Sequence, residues 1–167
     1  MARKRFADMD CAAAQALEQI GDWWTLLIVR EAFFGTTTFS GFLEELGIAR
    51  NILTDRLNTL VDRDILLREP TRPDVERFTY ALTPKGHDLL PILVALMQWG
   101  DKWHFGSGAE PLRITDAQSR RPIRPITVTS ADGRTLALAD LHLKPGPGAQ
   151  SRTLERFKKQ NRRSTGQ

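Results

Sequence analysis

A chain of 167 residues, 41% hydrophobic and 26% charged, suits one domain of ordinary size plus an appendage and can bury a real core. It has no run of eighteen apolar residues to span a membrane, its basic start meets Ala7-Asp8-Met9-Asp10 instead of the apolar stretch of a secretory signal, and its single cysteine rules out an internal disulfide and a four-cysteine zinc site; a reducing cytoplasm is the expected home. The formal charge of +4 is uneven: Arg152, Arg156, Lys158, Lys159, Arg162 and Arg163 face only Glu155, so residues 152–163 carry +5 and the remainder −1, and global basicity says nothing about the partners of the folded body.

Residues 10–34 read as helix, with Leu17, Ile20, Trp24 and Leu27 recurring at spacings of three and four. Gly21 breaks or bends it, and Asp22 can cap the second half. Trp23 and Leu26 fall off the main stripe, so this helix is apolar on more than one side and suits a partner surface or the centre of the fold. Gly35-Thr36-Thr37-Thr38 is a loop offering a hydroxyl cap. A short helix follows over 39–46, with Phe39, Phe42, Leu43 and Leu46 at helical spacing and Gly47 to end it. The next helix covers 49–64, with Leu53, Leu57 and Leu60 as its core stripe.

Strands are expected at 65–69 and 75–82, joined by a turn over 70–74; Phe78, Tyr80 and Leu82 alternate with Arg77, Thr79 and Ala81. Thr83-Pro84 starts a helix that runs to Phe105 and bends at Pro91. Leu89, Leu93, Leu96, Gly100 and Trp103 share one face of it, and Ile92, Met97 and Trp99 widen that face. Beyond Gly106 short strands are expected at 112–115, 122–128, 134–138 and 140–143, with a hairpin turn at Ala131-Asp132-Gly133. A Pro/Gly linker over 145–150 leads to a loose basic tail, with at most an incipient helix around Leu154 and Phe157.

Short helix, glycine turn, second helix and hairpin, in that order, make a winged helix-turn-helix: mainly α with a β wing (α+β), followed by a small C-terminal β-rich appendage. In that motif the second helix enters the major groove. At about 100° per residue, Asn51, Asp55 and Asn58 fall opposite Leu53, Leu57 and Leu60, with Thr54 on the flank. These are groups that can donate to or accept from base edges. Arg50, at the N-terminal end, can meet phosphate or guanine. Asp55 belongs in a groove only if it accepts from cytosine or holds an arginine, Arg56 or Arg50. Arg72 of the wing can reach an adjacent groove or phosphate. A solvated helix face explains the same polar stripe equally well, and residues 47–77 hold six arginines and six acids, a net charge of zero.

Residues 11–103 resemble the HxlR family of bacterial regulators, relatives of the MarR winged-helix group. The resemblance rests on Cys11 with Ala16-Leu17-Glu18, on Ile20-Gly21-Asp22-Trp23-Trp24, on Phe39 to Leu46, and on Gly47-Ile48-Ala49-Arg50-Asn51 with Leu53-Thr54-Asp55-Arg56-Leu57. It continues through Tyr80-Ala81-Leu82-Thr83-Pro84-Lys85-Gly86 and Leu96-Met97-Gln98-Trp99-Gly100-Asp101-Lys102-Trp103. It implies a homodimer on a palindromic operator of double-stranded DNA, a repressor in the first instance, with a small molecule or oxidation as its signal. The first and last core helices would form the dimer interface, through Trp23, Trp24, Leu93, Leu96, Trp99 and Trp103. Thr38 departs from the pattern, because the family often has arginine before the phenylalanine. Some relatives sense oxidants at a cysteine in the place of Cys11; a small buried apolar residue is the commoner role of such a cysteine. Longer relatives carry a cysteine-bearing ribbon after the core, but Thr129 and Asp132 stand where a cysteine pair would, so zinc is not expected. Residues 1–105 would then be the DNA-binding and dimerisation domain, 106–148 a β-rich module without zinc cysteines, and 149–167 a basic flexible tail.

No phosphate loop or nucleophile elbow is present, and His87, His104 and His142 lack metal-ligand spacing, so neither catalysis nor a cofactor is expected. Two other readings stay open. One is a protein-interaction module on a winged-helix scaffold, favoured by the near-neutral core. The other is an enzyme or small-molecule binder using the C-terminal strands.

Overall fold

A computed structural model describes Phe6, residues 9–71 and residues 77–164, the stretch 160–164 by backbone alone. Contacts divide the chain into two compact units: one holds Asp22–Ile126, and the other joins the described residues up to Gly21 with those from Thr127 onward.

The expected first helix is two helices, α1 (Ala12–Ile20) and α2 (Trp23–Phe33), parted at Gly21. The Asp22 carboxylate accepts from the Trp24 amide at 3.0 Å and so caps α2. Then come α3 (Phe39–Leu46) and α4 (Arg50–Asp62). Strands β1 (Leu66–Pro70) and β2 (Phe78–Leu82) pair antiparallel, with Leu66 opposite Leu82, Arg68 opposite Tyr80 and Pro70 opposite Phe78. The loop before α3 adds itself to this hairpin: the Tyr80 amide donates to the Thr37 carbonyl at 2.8 Å, beside a bridge between Thr38 and Thr79.

α2 is the central element of this unit, touching α3, α4, β2 and α6. The core is Ile28 and Val29 from α2, Phe42 from α3, Leu53, Leu57 and Leu60 from α4, and Ile65, Leu66 and Tyr80 from the hairpin, all buried. Phe42 meets Tyr80 edge to face at 6.2 Å between ring centres.

The long helix expected after Thr83 is also interrupted. It forms α5 (Pro84–His87) and α6 (Leu90–Gly100), then a π-helical turn over Asp101–Phe105. Pro91 lies in the first turn of α6, where its missing N–H costs nothing, so the helix restarts there and does not bend through it. Thr83 knots this corner to the end of α4. Its hydroxyl accepts from the Gly86 amide at 3.0 Å and donates to the Asp64 carbonyl at 2.6 Å. Lys85 Nζ reaches the Arg63 carbonyl at 2.7 Å. A Cβ on residue 86 would lie 2.3 Å from the Ile65 carbonyl oxygen, which is why glycine stands there.

The expected C-terminal strands are reduced to isolated bridges, Thr115 with Pro122 and Thr129 with Thr135. Residues 138–140 are a 3-10 turn instead of strand. Prolines 111, 122 and 125 lack the N–H a ladder needs. The turn at Ala131-Asp132-Gly133 does form, with the Ser130 amide donating to the Arg134 carbonyl at 2.9 Å. The segment expected as a loose tail is helical, α7 (Ser151–Ser164).

Candidate nucleic-acid interface

The turn between α3 and α4 is built by two residue choices. Thr38 caps α3, its hydroxyl accepting from the Gly41 amide at 3.1 Å, so the residue that departs from the family pattern has a structural task. Gly47 ends the helix at φ 58°, in the left-handed region. Ile48 is then buried, and α4 leaves with Leu53, Leu57 and Leu60 inward.

The opposite face carries the residues picked from the sequence. Arg50, Asn51, Thr54, Asp55 and Asn58 are all exposed. Asn51 makes no side-chain hydrogen bond among the described residues, so both ends of its amide are open to a base edge. The Thr54 hydroxyl donates to the Arg50 carbonyl at 2.9 Å, which leaves its oxygen as an acceptor. Arg50 lies over the Phe39 ring at 5.3 Å, joining the start of α4 to the start of α3.

Arg56 is committed inside the protein. Its Nε and Nη2 hold the two oxygens of Asp22, each at 3.1 Å, and its Nη1 holds Asp55 at 2.8 Å. Of the two arginines expected beside Asp55, it is Arg56 that holds it. Arg72 lies outside the described residues.

Arg68 of β1 is one of the wing arginines, with Arg72 and Arg77, that the sequence offers in favour of DNA contact. Its Nη1 reaches the Asn58 side-chain oxygen at 3.4 Å, and its guanidinium covers the Phe78 ring at 4.6 Å. It joins the outer face of α4 to the wing. Its partners depend on the strand register, which the long turn hides from the sequence.

The residues expected at a dimer interface separate into two groups. Leu93 is 4% exposed and belongs to the protomer's own core; Trp24 is half-buried. Trp23, Leu96, Trp99 and Trp103 are exposed, Trp23 at 76%, Trp99 at 63% and Trp103 at 68%. With Ile92, the last three form a line at spacings of four, three and four along α6 and its π turn.

A cleft of about 280 Å³ lies beside α6, lined by Met97, Gln98, Asp101, Leu112, Ile114 and Ile123 among others. Gln98 fastens its far wall, accepting from the Ile126 amide at 2.7 Å and donating to the Arg124 carbonyl at 3.3 Å. At its rim Glu110 pairs with Arg113 at 3.1 Å. The Gly108 amide, foremost among its contacts, holds the Glu110 carboxyl below its ordinary range. Asp101 has no side-chain partner among the described residues.

Cys11 caps α1 through its backbone and is exposed, which corrects the expectation of a small buried residue. Among the described residues no group of three or more His, Cys, Asp or Glu could hold a metal ion, and no helix is long and apolar enough to cross a membrane.

The profile of the HxlR-like helix-turn-helix family matches residues 19–106. The chain belongs to that family. An uncharacterised HTH-type transcriptional regulator of Mycobacterium tuberculosis, Rv3095, is 36% identical over 141 residues, 84% of this chain and 89% of the relative. The crystal structure of PA1607, a candidate transcription factor, superposes with a TM-score of 0.77 at 37% identity, covering 83% of this chain and 97% of that one. The redox regulator HypR in its reduced form matches at a TM-score of 0.51 and 26% identity, over 55% of this chain and 91% of that one. This HxlR-like protein is thus a DNA-binding transcriptional regulator of winged-helix type, in a family of regulators and not of enzymes.

Proposed function

We propose that this regulator is a homodimer that reads a palindromic operator and represses the adjacent gene. The observation that carries sequence reading is the outer face of α4, where Asn51 presents an unengaged amide beside the exposed Arg50. Asn51 suits a bidentate contact to adenine, Arg50 to guanine or phosphate, and the Thr54 methyl to thymine. Asp55 and Asn58 complete the face, and Arg72 serves the wing. Arg56 acts from within, fixing α4 to α2, and supplies no free cation to the backbone.

The exposed line of Ile92, Leu96, Trp99 and Trp103, with Trp23 on the helix that packs on α6, supports the dimer. Monomeric proteins seldom leave such a patch in water. Two copies about a two-fold axis would read half-sites about one helical turn apart. A dimer seated across promoter DNA blocks it without any further contact, which is why repression is the reading. The cleft beside α6 is the place for a small effector, with apolar walls and the Asp101 carboxylate for a positively charged or donor group. The exposure of Cys11 supports a response to oxidation, completed by a small thiol or by Cys11 of a second copy.

In this reading residues 1–105 carry DNA binding and dimerisation in the cytoplasm, 106–148 form an appended module, and 149–167 a basic tail. Selection of bound duplexes from a random pool tests it. A two-fold motif is expected. A non-palindromic motif would overturn the symmetric dimer, and enrichment of no sequence would overturn base reading.

A further inference from the structure

The α7 segment holds the strongest concentration of charge in the protein, and the helix sorts it. Residues 152, 156, 159 and 163 recur at spacings of four, three and four, so helical register sets them in one line roughly 16 Å long. All four are Arg or Lys. Lys158 and Arg162 flank the line, and Glu155 is the single acid of the helix. Thr153, Leu154 and Phe157 occupy the opposite side, where Thr153 and Phe157 are partly buried.

That side is held. The Gln150 amide donates to the Asp10 carboxylate at 2.8 Å, and the Thr153 hydroxyl donates to the Asp10 carbonyl at 3.3 Å. A carboxylate at a helix N-terminus also suits the helix dipole. The side chains of Arg152, Arg156, Lys158 and Lys159 are exposed, and none has an ion-pair or hydrogen-bond partner among the described residues. The helix is thus seated by one side and leaves Arg152, Arg156 and Lys159 unneutralised on the other, in a protein whose remainder outside residues 152–163 sums to −1.

We propose that α7 is a second DNA-contacting element, which binds the phosphate backbone without regard to sequence. Double-stranded DNA is the partner of α4 in the function proposed above, on which this inference rests, and its backbone offers a continuous row of negative charge to an ordered row of positive charge. The division of labour follows: α4, whose surroundings are neutral overall, selects sequence, and α7 supplies much of the counterion release that drives association.

The full-length variant Arg152→Gln/Arg156→Gln/Lys159→Gln tests this. The substituted side chains are exposed and glutamine favours helix, so circular dichroism should match the parent. Affinity for a mixed-sequence duplex and for a duplex selected from a random pool is read by fluorescence anisotropy across a salt series. The slope of log affinity against log salt should shrink by roughly 0.9 for each lost phosphate contact, up to about 2.7 per chain, with similar fold losses on both duplexes. The variant Arg152→Lys/Arg156→Lys should keep the parental slope. An unchanged slope in the glutamine variant would overturn the proposal. So would loss confined to the selected duplex, which would mean base reading by α7. Parental binding to anionic phosphatidylserine vesicles that the variant loses, with DNA binding intact, would reassign the helix to a lipid surface.

Discussion

Arg56 grips both carboxylate oxygens of Asp22 at 3.1 Å, and the same carboxylate caps α2 through the Trp24 amide. One side chain therefore sets both the start of α2 and the tilt of α4. Since Trp23 on α2 belongs to the exposed apolar surface, this pair ties the surface proposed for a second copy to the helix proposed for DNA.

Removing that pair should cost stability before it costs contacts to DNA. Loss of the cap and of two charge-assisted hydrogen bonds in Asp22→Ala should lower unfolding free energy by about 2 kcal/mol, read from urea denaturation. Arg56→Lys in the parent should also lose stability, because an ammonium cannot span the two Asp22 oxygens. Additive effects of Asp22→Ala and Arg56→Ala in a double-mutant cycle would show that the two act separately.

Arg50→Ala with Asn51→Ala should weaken binding to the selected duplex far more than to a mixed-sequence one, at fixed salt. Two lost base contacts correspond to about 2–5 kcal/mol of discrimination. Equal losses on both duplexes would remove base reading from α4.

Leu96→Glu with Trp99→Glu should convert a dimer to monomer in sedimentation velocity while leaving the fold intact, since both side chains lie outside the core. Leu93→Ala should do the reverse. It should keep the assembly and lose about 2–5 kcal/mol of stability through the cavity it opens. A monomeric parent protein at micromolar concentration would end the dimer proposal.

Gly86→Ala should be among the most damaging single methyl additions, because the new carbon meets the Ile65 carbonyl and not a yielding side chain. A loss of about 2–4 kcal/mol is expected in the same urea assay. A neutral result would mean that the corner between β1 and α5 can open at little cost.

Thr153 and the Gln150 amide hold the Asp10 carboxyl below its ordinary range. Its folded pKa is depressed, so its contribution to seating α7 is complete above the unfolded value of about 3.9 and fades as pH falls through the folded value. Protection of the Gln150 amide, taken relative to its intrinsic exchange rate at each pH, should fall on acidification in that window. Asp10→Ala should show the lower protection already at neutral pH and no further change in that window. Protection that responds neither to acid nor to the substitution would mean that α7 is held by its apolar side alone.

The helix-turn-helix was legible because its signals are local. Gly47 and the stripe of Leu53, Leu57 and Leu60 each act within a few residues of where they stand, and the polar face of α4 follows from the same projection. Arg56 was placed at the DNA because the partner that claims it, Asp22, is 34 residues away and leaves no periodic trace. Leu93 and Leu96 could not be told apart on a helix apolar all round; only α2, packing on one side, separates inward from outward. Alternating apolar residues beyond Gly106 imitated strands, but prolines and missing partners left only bridges. Arg68 was legible as a wing arginine, but its contacts with Asn58 and Phe78 depended on a register that no tight turn announces.

The hydrogen bond from Gln150 to Asp10 spans 140 positions of chain. No nascent fragment can make it, and a contact of such sequence separation is among the last that folding can close. The winged-helix segment is synthesised well before residue 150 emerges, so α4 can be in place while the basic helix still lacks its seat. A protein truncated or extended near Asp10 would then be altered at its opposite end, and N-terminal tags are a poor choice for measuring how tightly this regulator holds DNA.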